Sequence, residues 1–117
     1  MATYTKNKLS GSTNGKQILI TATANGSAVT IHTAVSGTSN FDEIWLYAYN
    51  DDTTDATLLV LWGGTTEPDN LMRFTLPSRA GRYLCIDGAL LQNSLVVKAY
   101  ASIANKITVD GFVNSIT

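Results

Sequence analysis

Between Phe41 and Tyr49 the chain alternates with a period of two, and neither phase is polar. Trp45, Tyr47 and Tyr49 share one phase; Ile44, Leu46 and Ala48 share the other. A period of two marks a β-strand, whose successive side chains point to opposite faces. A strand with one face in a core normally offers water a polar second face. Here both faces are apolar or aromatic. The strand is therefore expected to be central or covered, and in a two-layer sandwich its second face needs a loop, an arm or another chain over it.

The rest of the chain follows the same grammar. Lys16–Ala24 places Ile18, Ile20 and Ala22 on one face, and Ala28–Ser36 places Val29, Ile31, Thr33 and Val35 on one face with Thr30, His32 and Ala34 opposite. Asn25-Gly26-Ser27 between them predicts a hairpin turn. Ala56–Trp62 is apolar on both faces. Leu71–Leu76 turns Met72, Phe74 and Leu76 inward and Arg73 and Thr75 outward. Arg82–Ile86 is the next strand, closed by a turn at Asp87-Gly88 and a short connection over Ala89–Asn93. Ser94–Tyr100 and Lys106–Phe112 are the last strands. Leu91, Leu95 and Ala99 lie on a helical stripe, but Asn93-Ser94 and the Val96-Val97 pair favour strand. About eight short strands with turns roughly every 8–12 residues predict an all-β, antiparallel sandwich, jelly roll or barrel.

Residues 1–15 carry Lys6 and Lys8, no acid, and the run Ser10-Gly11-Ser12-Thr13-Asn14-Gly15. They are read as a flexible, extended polar arm ahead of a single sandwich domain over residues 16–117. With 117 residues, 44% of them hydrophobic, the chain is long enough for one domain with a buried core. A net charge of −1 argues against a nucleic-acid binder, which needs a basic surface to release counterions. The polar start lacks the apolar stretch of a secretory signal, and no apolar run approaches a membrane span. A soluble domain with no membrane partner is expected.

Catalytic constellations are hard to assemble. His32 is the single histidine and Cys85 the single cysteine, which excludes a two-histidine site, an internal disulfide and a multi-cysteine metal site. His32 lies mid-strand with no Gly-x-Ser-x-Gly elbow and reads as a polar-face or subunit-interface side chain. Cys85 sits in Tyr83-Leu84-Cys85-Ile86 and reads as a small buried hydrophobe. Asp51, Asp52 and Asp55 could offer oxygens to calcium, but their spacing lacks the glycine and distal glutamate of an EF-hand loop, so they read as solvated turn acids. Gly63-Gly64 follows a strand without the Gly-Lys-Ser/Thr and helix of a phosphate loop. No catalytic residue, cofactor or metal site is assigned, and the chain is read as a non-enzyme.

Charge is more informative. All seven charged residues from Asp42 to Asp69 are acids, whereas Lys6, Lys8 and Lys16 precede them and Arg73, Arg79 and Arg82 follow closely. Such a distribution suits association with copies of the same chain. Trp45, Tyr47, Tyr49, Arg73, Arg79 and Arg82 are the expected interface residues, the aromatics as anchors and the arginines as partners for the acids. Aromatic surface also suits sugar stacking, which keeps a carbohydrate-binding or host-recognition module as an alternative.

Three segments carry a family resemblance: FDEIWLYAYN (Phe41 to Asn50), WGGTTEPDN (Trp62 to Asn70) and KITVDGFVNSI (Lys106 to Ile116). With them the chain resembles small virion structural proteins of tailed bacteriophages. The resemblance implies an all-β part of the phage particle, made in the host cytoplasm. Capsid cement or decoration of the head shell is the first role it implies, and a neck or tail accessory the second. It further implies a homo-oligomer, a trimer by analogy, seated on the major capsid protein or another virion protein. The motifs are not catalytic, so no functional residue is carried over.

Overall fold

A computed structural model describes residues 2–117. Among them nine strands form two antiparallel sheets: β1 Tyr4–Lys8, β2 Ile18–Leu19, β3 Val29–Thr33, β4 Phe41–Asn50, β5 Ala56–Trp62, β6 Leu71–Leu76, β7 Tyr83–Leu91, β8 Val96–Ala101 and β9 Ile107–Ile116. One sheet has the order β1-β9-β4-β7, with β2 also on β9; the other has the order β3-β8-β5-β6. The expected all-β antiparallel sandwich is the observed fold. The molecule measures 48 × 27 × 21 Å. Its short dimension fits two sheets about 10 Å apart with side chains outside each.

β4 is central to its sheet, as its two apolar faces demand. It pairs with β9 continuously from Phe41↔Ile116 to Asn50↔Ile107 and with β7 on its other side. Ile44, Leu46 and Ala48 enter the core and meet Leu58 and Val60 of β5, Val97 and Ala99 of β8, and Val109 and Val113 of β9. The second face of β5 is covered from within the chain. Leu59 and Leu61 pack with Tyr100 and with Ala22 and Ala28 of the segment that precedes β3.

Four local expectations are corrected. First, β2 and β3 do not form a hairpin; they belong to different sheets. Asn25–Ser27 is a single 3-10 turn, and Gly26 lacks the left-handed φ that a two-residue hairpin turn requires. The chain crosses between layers here, with Ile20 N–H bonded to Ile107 and the Ala22 carbonyl to Ala101.

Second, a bulge between Thr30 and His32 shifts the register of β3 on β8. Ile31 and His32 are consequently both buried, and His32 is neither on a polar face nor at a surface. Its Nε2 lies 2.8 Å from Asp42 Oδ2, and its Nδ1 accepts the Ser10 N–H at 3.0 Å. The second bond assigns the imidazole as neutral with the proton on Nε2. Asp42 Oδ2 also accepts the Val35 N–H at 3.1 Å.

Third, Asp87-Gly88 is not a turn. β7 runs through it to Leu91, and Gly88 absorbs a bulge with φ +89° opposite Trp45. The last strand likewise continues past Phe112 to Ile116.

Fourth, the N-terminal segment is extended, polar and exposed over Tyr4–Lys8, but it is paired rather than loose. β1 lies antiparallel on β9, from Tyr4↔Ile116 to Lys8↔Phe112. Leu9 follows at 1% exposure in the core. Gly11 N–H then bonds the Ile31 carbonyl, and Ser10 Oγ accepts the Thr33 N–H at 2.7 Å. A Cβ on Gly11 would sit 2.5 and 2.6 Å from the Thr30 and Ile31 carbonyl oxygens, so only glycine permits this approach. The residues read as a flexible arm thus sew one sheet to the other. Met1 lies outside the described residues.

Two outcomes are expected from this arrangement. Leu9→Ala should lower unfolding free energy by about 2–5 kcal/mol in denaturant titration, as for other buried leucines. His32→Ala should cost about 2–4 kcal/mol, because it leaves a buried carboxylate short of a donor. A Leu9→Ala variant as stable as the parent would show that the segment is not anchored.

Candidate interaction face

Residues directly opposed across antiparallel strands share a face, so the register defines what the five-stranded sheet shows to solvent. One row is Tyr4–Ile116–Phe41, and the next is Lys6–Asn114–Glu43–Leu90. Then come Lys8–Phe112–Trp45–Asp87, Asp110–Tyr47–Leu84 and Leu19–Thr108–Tyr49. Tyr4, Leu19, Phe41, Leu84 and Leu90 are between 38% and 64% exposed. They are five of the seven large apolar side chains exposed among the described residues. Their gathering on one face makes it the candidate interaction face, whereas the same side chains scattered singly would not.

The aromatic centre of the face is ordered from within the chain. The Trp45 and Phe112 rings stack at 5.8 Å, 10° from parallel. Lys6 Nζ lies 4.3 Å from the Phe112 ring centre. Trp45 Nε1 donates to Glu43 Oε1 at 2.8 Å, and Asn114 Nδ2 donates to the same oxygen at 3.0 Å. Those two bonds hold the Glu43 carboxyl below its ordinary 4.5. Tyr49 donates to Asp51 Oδ1. The close approach of β9 to β4 at this centre depends on Gly111, where a Cβ would collide with the Trp45 carbonyl oxygen. Nothing in the local sequence pattern distinguishes that glycine from a turn residue.

Trp45, Tyr47 and Tyr49 therefore lie together on the outer face, half-buried. The three arginines do not form one patch. Arg82 lies over Tyr47, 3.7 Å from the ring centre, and its Nη2 is 2.9 Å from Asp110 Oδ2. Arg79 pairs with Asp51 at 3.6 Å, both largely in water, a contact worth about 0–1 kcal/mol. Arg73 opposes Leu59 on β6, in the other sheet, outside this face. Lys6, Lys8, Leu19, Leu84, Leu90 and Phe112 were not among the expected interface residues. Only the strand register brings them onto the face that carries Trp45.

The remaining candidates have structural surroundings. Asp52 accepts a bond from the Thr54 hydroxyl within its own turn, and Asp55 accepts the Ser78 N–H from the loop after β6. No group of three or more His, Cys, Asp and Glu among the described residues is placed to hold a metal ion. Glu67, in the loop after β5, accepts bonds from Tyr100 and Asn25. Those bonds hold its carboxyl below the ordinary 4.5 and pin the loop over the second sheet rather than over the aromatic face. Gly63, Gly64 and Thr65 line an open depression of about 280 Å³ with Ser94, Leu95, Val96 and Lys98. Comparisons with protein-family models, curated proteins and solved structures find no match to this chain.

Two titration outcomes follow from the hydrogen bonds and burial above. Burial pushes the Cys85 thiol from 9.0 up to about 12. The unfolded thiol ionises first, so stability should fall as pH rises from 9 toward 12, and Cys85→Ala should flatten that limb. Iodoacetamide at mildly alkaline pH should label the folded chain far more slowly than the denatured one, since the thiolate is the nucleophile; equal rates would contradict it. On the acid side the lowered Glu43 and Glu67 carboxyls contribute stability that is present above 4.5 and lost below it. Glu67→Gln should therefore weaken the acid limb of a pH–stability curve.

Proposed function

We propose that this chain is a non-enzymatic structural part of a tailed-phage virion, a cement or decoration protein that stabilises the head shell. The observation that carries the reading is the outer face of the five-stranded sheet. A rigid β4–β9 ladder presents Trp45, Phe112, Phe41, Leu84 and Leu90 on one broad surface rather than in a cleft. Broad apolar faces with aromatic anchors suit association with other proteins. The state of His32 fits the same reading. It is buried, and both ring nitrogens are engaged by Ser10 and Asp42 in holding the two sheets together. In this role the chain associates with itself and with the major capsid protein or another virion protein, at the head or as a neck or tail accessory. The stacked Trp45 and Phe112 rings favour a second reading, a carbohydrate-recognition surface.

Immunogold labelling of gradient-purified particles from the source culture tests the assignment. Labelling spread over the head shell is expected, and Trp45→Ala should reduce incorporation while leaving a folded chain by circular dichroism. Absence of the protein from purified particles would contradict the virion reading. Glycan binding by the free chain, lost on Trp45→Ala, would replace it with the carbohydrate reading.

A further inference from the structure

The outer face carries a charge pattern as well as an apolar one. Lys6 and Lys8 lie along its β1 edge, while Glu43 and Asp87 lie toward its β7 edge. The two ion pairs among the described residues are Arg79–Asp51 and Arg82–Asp110. Lys6, Lys8, Glu43 and Asp87 are in neither of them; Lys8 Nζ donates to the Ser12 carbonyl at 3.1 Å, which leaves its charge unneutralised. The face is therefore positive along its β1 edge and negative on the opposite side, where Asp87 lies on β7 and Glu43 on β4.

We infer that this face pairs with the same face of a second copy, about a two-fold axis parallel to the strands. The inference rests on the structural reading above and names the partner of that face. Two in-plane axes could stack the sheets face to face. An axis across the strands places β1 on β1 and brings the lysines of both copies together, which costs energy. An axis along the strands places β1 of each copy over β7 of the other. Lys8 then meets Asp87, Lys6 meets the side of Leu90 and Glu43, and the Trp45–Phe112 pair packs against its symmetry mate. Each contact occurs twice, as an isologous interface requires. Unlike charges at the edges also steer the encounter and fix its register.

The size of the face is adequate. Ten-residue strands span about 33 Å, and four strands side by side, each about 4.8 Å wide, about 19 Å. The projected area is about 630 Å² and the accessible area larger, against roughly 800 Å² per partner in stable complexes. Arg82 and Asp110 neutralise each other within one copy beside Tyr47, so they add no repulsion at the centre.

The test is a charge-reversal cycle on the full chain, read by sedimentation velocity across a dilution series at low and high salt. The parent should be a dimer at high micromolar concentration. Lys8→Glu alone and Asp87→Lys alone should each weaken it by about tenfold or more, because each change alters two contacts. Lys8→Glu with Asp87→Lys in the same chain should restore most of the lost affinity. Both positions are exposed, so the variants should fold, and matched melting curves would confirm it. A parent that stays monomeric overturns the inference. So does a dimer that either single reversal leaves intact, or that the double reversal fails to restore. A monomeric parent that still labels the head shell of native particles would remove the pairing alone, whereas absence from particles would remove the virion reading.

Discussion

The β4–β9 ladder is the constraint on which the rest of the molecule depends. Its pairs run without a break from Phe41↔Ile116 to Asn50↔Ile107, and Gly111 lets the two backbones meet at Trp45. Because alternation has a period of two, this one register decides both faces at once. It sends Ile44, Leu46 and Ala48 inward against β5 and β8. It also sends Glu43, Trp45, Tyr47 and Tyr49 outward beside Asn114, Phe112, Asp110 and Thr108. A slip of one residue would bury the aromatic set and expose the aliphatic one. Fold and surface are therefore two consequences of one pairing.

The other edge of β9 receives both N-terminal strands, β1 near its end and β2 near its start. The chain between them leaves the sheet to reach β3, and there it is held by Leu9, the Ser10–His32–Asp42 hydrogen bonds and the close approach of Gly11. A chain of neutral and charged hydrogen bonds buried at the junction of two sheets fixes their relative position more than it adds net energy. The aromatic face inherits that rigidity. Lys6 reaches Phe112 because, immediately downstream, Leu9 is held in the core and Ser10 is hydrogen-bonded to His32 and Thr33.

Much of this was legible in the sequence where alternation was strong. The β4 and β5 spans, the inward Met72, Phe74 and Leu76, and the sandwich class all follow from period-two patterns. The failures share a cause, namely that local pattern carries no information about a partner distant in sequence. Asn25-Gly26 has the composition of a hairpin turn, yet β9 captures β2 and β8 captures β3. His32 falls on the polar phase, and a bulge turns it inward to Asp42. Leu9 is one leucine in a polar run, too little signal to anticipate an anchored segment. The candidate face was half legible. Trp45, Tyr47 and Tyr49 share a phase, but Lys6, Phe112 and Leu90 join them only through cross-strand register. Arg73 was close in sequence to Arg79 and Arg82 but separated from them by the layer structure.

The central claim is that the outer face of the five-stranded sheet is a surface to be covered. Trp45 at its centre reports on that directly. In a Trp62→Phe background the remaining tryptophan fluorescence comes from Trp45 alone, and acrylamide quenching of it can be followed from dilute to concentrated protein. The account expects the quenching constant to fall as concentration rises and to recover on dilution, with the fold unchanged by circular dichroism. A quenching constant that stays high and constant over the whole range would show that the face remains open to water, and would contradict the account.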